Sequence, residues 1–223
     1  MGNFFTSSIG KKVLLAAMGL FLILFLIVHL GINSLLVIFE DTQPFNVAAH
    51  FMATNILIKV FEVVLFAAIL LHAIYGIILQ IQNWFARPVR YKIDNYSQTS
   101  FFSKFMIHTA VIILVFLIIH LSDFYFRAKF FGDVNTVFYD GKPYHDLASL
   151  VLAKFSLPGY VIFNIACFLF LGFHLLHGFQ SSFQTLGLNN KSYTPVIKTI
   201  GAIYTIVVVA GFITIPIIIY FTR

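Results

Sequence analysis

VLLAAMGLFLILFLIVHLGINSLLVI, residues 13–38, carries no acidic or basic side chain except His29. As a helix rising 1.5 Å per residue it crosses a hydrocarbon core of about 30 Å with length to spare. Four further apolar runs follow, roughly at 56–83, 104–128, 158–184 and 196–221. The whole chain is 60% hydrophobic and only 10% charged, which leaves too little polar surface for a soluble domain of 223 residues. The fold class expected is therefore all-α: one integral membrane domain, 1–223, of five transmembrane helices. The fifth run contains Pro216, which a membrane helix tolerates where neighbours satisfy the freed carbonyl.

The first run is too long for a cleavable signal peptide and lacks a small-residue cleavage site after it. The start MGNFFT fits the loose myristoylation pattern, but a lipid anchor adds little to a chain that already spans the bilayer. A single cysteine, Cys167, excludes an intrachain disulfide and covalent c-type haem attachment through CxxCH. Lysine and arginine set the orientation. Lys11 and Lys12 precede the first run, Arg87, Arg90 and Lys92 lie between the second and third with Lys104 at the start of the third, and Lys191 and Lys198 follow the fourth. The opposite side mixes Glu40, Asp41, Asp133, Asp140 and Asp146 with Arg127, Lys129, Lys142 and Lys154. The expectation is a cytoplasmic N-terminus and an outer C-terminus. Nucleic acid is not an expected partner, because the basic residues flank membrane segments instead of forming one face.

Eight histidines are present. His50 and His145 fall in the outer loops and His108 at the cytoplasmic start of the third run, positions where histidine is ordinary. His29, His72, His120, His174 and His177 lie within the apolar runs, where an ionisable group is costly and marks a functional position. Four of them sort by depth. His29, His72, His120 and His174 each stand sixteen residues from the start of their run. The first and third runs go outward and the second and fourth inward, so His29 and His120 share an outer level and His72 and His174 an inner one. The two levels differ by roughly 18 Å along the bilayer normal.

Two neutral imidazoles facing each other across a helix bundle hold a low-spin b-type haem. Small residues near the ligands make room for the macrocycle. Gly76 follows His72 by four residues and Gly178 follows His174 by four, each about one turn from its histidine. No such glycine follows His177, which favours His174 as the inner ligand. His177 is left either with a hydrogen bond to a haem propionate or carbonyl, or as a plain interfacial polar residue. The residues alone leave two alternatives to dihaem binding: a histidine-lined transporter of metal ions or protons, and a haem-free structural bundle. Glu62 is the one clear intramembrane carboxylate, and a transporter ordinarily needs several near one site.

MGLFLILFLIVHLGINS, LLHAIYGI, RPVRYKIDNY, IIHLSDFYF and FHLLHGFQSSFQTLG occur in that order. Together they resemble the dihaem cytochrome b membrane anchors of succinate dehydrogenase and quinol:fumarate reductase, in their single-subunit, five-helix form. In the last stretch the ligand is followed by glycine at four and thirteen residues, which are Gly178 and Gly187 counted from His174. The resemblance implies two haems b as cofactors, on His29/His120 and His72/His174. It implies a quinone substrate, usually menaquinone, and docking of a flavoprotein subunit and an iron–sulfur subunit on the cytoplasmic face of a bacterial cytoplasmic membrane. It also implies that dicarboxylate chemistry belongs to those subunits. Glu62, about 15 Å further out than His72 along the second run, would relay protons to quinone, or else stand as an interfacial acid paired with Lys59. Some members carry a carboxylate two residues before the fourth-run ligand; here that residue is Gly172.

Overall fold

The computed structural model describes residues 7–85 and 105–223. Its element order is α1 (Ser8–Ile38), α2 (Gln43–Thr54), α3 (Ile56–Phe85), α4 (Met106–Phe131), β1 (Thr136–Tyr139), β2 (Lys142–His145), α5 (Leu147–Phe155), α6 (Pro158–Thr185) and α7 (Tyr193–Thr222). Five helices, α1, α3, α4, α6 and α7, are long and apolar enough to cross a membrane. The chain is an all-α, multi-pass membrane protein. The spans overlap the five apolar runs with ends that differ by five residues at most. MGNFFT and the basic positions Arg87, Arg90, Lys92 and Lys104 lie outside the described residues.

Local signals start and stop these elements. The Ser7 hydroxyl accepts from the Gly10 amide at 3.0 Å, so α1 begins five residues before its apolar run. The Asn55 side chain accepts from the Leu57 amide at 2.9 Å and starts α3 directly after α2. Pro158 opens α6, where its missing N–H is harmless. α4 is α-helical to His120 and π-helical over Leu121–Phe131, ending at Gly132 with φ +61°. A π-helical stretch of this length is rare, and such geometry collects at functional positions.

The bundle is unevenly packed. α1 touches α3, α6 and α7, α6 packs along α7, and α4 leans on α6. One core cluster, Ile23, Phe168, Leu175, Phe179, Val208 and Phe212, fills the space among α1, α6 and α7. A second joins Leu36, Val161, Ile215 and Ile219 to Phe45 of α2 and Ala148, Val151 and Phe155 of α5. α2, α5 and the hairpin thus form a cap over one end of the bundle. The hairpin turns through Asp140 and Gly141, both with positive φ, the geometry favoured in two-residue hairpins. Asn46 is fully buried at the cap's centre, donating to Tyr139 Oη and Asp146 Oδ1 and accepting from the Ala148 amide.

Candidate functional site

The four depth-matched histidines meet in the expected pairs. His29 of α1 faces His120 of α4 with ring centres 5.7 Å apart, and His72 of α3 faces His174 of α6 at 6.2 Å. Each pair could hold one metal-centred group between its two rings. His177 is not part of either pair; it lies one turn beyond His174, half-buried.

The surroundings of the inner pair fit coordination. His72 Nδ1 is the one buried side-chain nitrogen or oxygen among the described residues with no hydrogen-bond partner. An orphan of that kind costs about 1–3 kcal/mol. His174 Nδ1 lies 3.4 Å from Thr109 Oγ1. The single hydroxyl proton of Thr109 goes to the Met106 carbonyl at 2.9 Å, so toward His174 the hydroxyl acts as acceptor. The hydrogen then sits on Nδ1 and leaves the Nε2 lone pair free for a metal. Thr109 is 6% exposed and is the one buried residue of the α-helical part of α4. Nothing in the sequence pointed to it.

Gly19 of α1 was missed as well. A Cβ there would stand 3.4 Å from His72 Cε1 and 3.6 Å from Ser182 Oγ. A bare Cβ would fit there at contact distance, and a larger side chain would press on the His72 ring. The two glycines expected to make room behave differently: a Cβ at Gly76 would meet nothing within 4 Å, and one at Gly178 only Met106 Cε at 3.8 Å. Among the described residues, no protein atom presses on either. α3, which carries His72, buries only Ala68 along its whole length. The flank of α3 beside His72 is thus little covered by the rest of the described chain.

The outer pair sits among aromatic rings. Phe25 stacks on His29 at 5.3 Å and Phe212 lies 5.8 Å away. Phe116 and Phe124 flank His120 at 5.6 and 5.3 Å. An apolar shell of this kind keeps water away from the pair.

Among the described residues no group of three or more His, Cys, Asp or Glu side chains could hold a metal ion. A bare ion in a closed site ordinarily takes four protein ligands. Two facing imidazoles, His29 with His120 and His72 with His174, are by themselves too few donors for a bare ion.

Glu62 does not pair with Lys59. Its Oε1 accepts from Tyr125 Oη and Lys129 Nζ, both on the π-helical end of α4. The tertiary partner replaces the sequence neighbour because α3 and α4 lie side by side, with Phe66 packing on Tyr125 at 4.8 Å. Gly172 abuts α7: a Cβ there would stand 3.2 Å from Val209 Cγ2. A carboxylate at that position would have to displace Val209.

His108 is exposed beside Phe105, His50 lies in α2 against Tyr144 at 4.9 Å, and His145 is in β2. All three stay away from the pairs. Comparison of the chain with protein-family models, with curated proteins and with solved structures finds no match.

Proposed function

We propose that this chain is the dihaem cytochrome b membrane anchor of a succinate:quinone oxidoreductase. The observation that carries the reading is the pair of cross-helix histidine contacts at 5.7 and 6.2 Å, each joining helices that are not neighbours in sequence. Haem b bound at each pair would supply a one-electron carrier. His29 and His120 would hold one and His72 and His174 the other. Gly19 would keep α1 from pressing on the inner ligand His72, and Thr109 would fix the tautomer of His174.

In this reading the chain passes electrons between a cytoplasmic iron–sulfur subunit and membrane quinone, menaquinone by resemblance. It lies in a bacterial cytoplasmic membrane with its N-terminus inside. A flavoprotein subunit carries the dicarboxylate chemistry. One cysteine cannot hold an iron–sulfur cluster, so that centre belongs to a partner. Glu62 would exchange protons with quinone at the outer side, holding its charge through Lys129 and Tyr125. Among the described residues neither histidine pair has the additional donors that a bare metal ion needs, which weighs against transport of metal ions.

A pyridine haemochrome assay with protein quantitation on the detergent-purified chain tests the proposal. Two b-type haems per chain are expected. None, in a well-folded preparation, would overturn the reading; one would remove one of the two pairs from it.

A further inference from the structure

The π-helical end of α4 carries two side-chain clusters of the same make-up, each a carboxylate with a tyrosine hydroxyl and a lysine. Glu62, Tyr125 and Lys129 form the first, between α3 and α4. Asp123 forms the second with α5 and α6: Lys154 Nζ donates to its Oδ1 at 2.5 Å and Tyr160 Oη to its Oδ2 at 3.0 Å. In both clusters the ammonium stands 5.4 Å from the centre of the tyrosine ring. The Glu62 cluster has a role in the function proposed above. The Asp123 cluster has none, and its position calls for one.

Asp123 lies three residues beyond His120, within about one turn of it along α4. Its side chain is 17% exposed and that of Lys154 24%, so water screens the pair only in part. The cap's α5 delivers Lys154, and Tyr160 comes from the first turn of α6. Phenylalanine rings surround His29 and His120, and the Asp123–Lys154 pair follows them along α4.

We propose that Asp123 and Lys154 are positioning residues that set the reduction potential of the group held by His29 and His120. This rests on the haem reading of that pair. The carboxylate stabilises the more positive, oxidised iron and lowers the potential; the ammonium offsets it and raises the potential. Each acts through space and neither touches the iron. A unit charge about 10 Å away at an effective dielectric near 20 changes such an equilibrium by roughly an order of magnitude.

The sign distinguishes tuning from mere bracing. Asp123→Asn leaves the Lys154 charge unbalanced and moves the outer component toward the reduced form. Lys154→Met leaves the Asp123 charge unbalanced and moves it toward the oxidised form. Both substitutions break the same ion pair, so a bracing role alone moves both in one direction or in neither.

The test is a spectroscopic redox titration of the purified full chain, with the outer component identified as the one that His120→Ala lacks. The expected shifts are about tenfold and opposite, near 59 mV each for one electron, with the inner component unmoved and Asp123→Glu close to the parent. Where Asp123→Asn does not fold, Lys154→Met, which keeps the Tyr160 bond to Asp123, carries the sign test by itself: a lowered outer potential supports the proposal, and an unchanged or raised one overturns it. Equal or same-sign shifts in the two variants also overturn it. A parent chain without haem instead defeats the function proposed above, a different and separately visible result.

Discussion

Replacing Thr109 with valine removes one hydroxyl and almost no volume. In the parent chain that hydroxyl donates to the Met106 carbonyl at 2.9 Å and receives the Nδ1 hydrogen of His174 at 3.4 Å. The bond within α4 adds little, since Met106 is already part of the helix. The bond to His174 is at the long end of the range, so its net worth is near the lower limit of about 0.5–1.5 kcal/mol. Its effect on coordination is larger than that, because it selects the tautomer that presents Nε2. Outer partners of this kind change metal affinity by roughly 10–100-fold. The length of this bond puts Thr109→Val near the lower figure, about a tenfold loss. Haem transfer from the purified chain to excess apomyoglobin measures it, with the outer component as an internal standard. Faster loss of the inner component alone, restored by Thr109→Ser, is the expected result. A valine variant that holds the inner haem as firmly as the parent would refute the assignment of the His174 tautomer.

Gly19→Val brings two extra methyl groups against a ring that a bare Cβ would already approach to 3.4 Å. The inner component should be lost or strongly weakened while the outer one stays, as absorbance spectra of the variant would show. Glu62→Gln should slow quinone turnover at least tenfold with both haems retained, measured as quinol-dependent haem reduction in the assembled complex; unchanged turnover would remove Glu62 from the proton path. Asn46→Leu leaves the Ala148 amide and the Asp146 carboxylate without their partner in the cap. Each such loss costs about 1–3 kcal/mol, so the Ala148 amide should exchange hydrogen roughly 10–100-fold faster, with little change in the membrane spans.

The spans and the histidine pairs were legible because both rest on simple counting. Each span is an uninterrupted apolar run, and His29, His72, His120 and His174 sit at one common distance from the start of their runs. The cap was not read. α2 and α5 are only 12 and 9 residues long, and elements so short give little periodicity to detect. The Asp140-Gly141 pair is the one local signal of the hairpin, two turn residues between short apolar stretches. Glu62 shows the limit of local spacing. Lys59 was the nearer cation in sequence, yet the partners chosen are Tyr125 and Lys129, which only the packing of α4 against α3 reveals. Thr109 and Gly19 could not have been found from the chain alone. A threonine in an apolar helix and a glycine in the first span become informative only when His174 and His72 are brought beside them. The π-helical turn after His120 is equally silent in the sequence, since its residues keep an ordinary amphipathic mixture. It nonetheless decides which sides of α4 present Asp123 and Tyr125.

The central claim is the pairing itself, and spectra of single-histidine variants test it most directly. His29→Ala and His120→Ala should lose one and the same haem component, His72→Ala and His174→Ala the other, and His177→Ala neither. Loss of different components by the two members of a pair, or loss of the inner haem by His177→Ala but not His174→Ala, would contradict it.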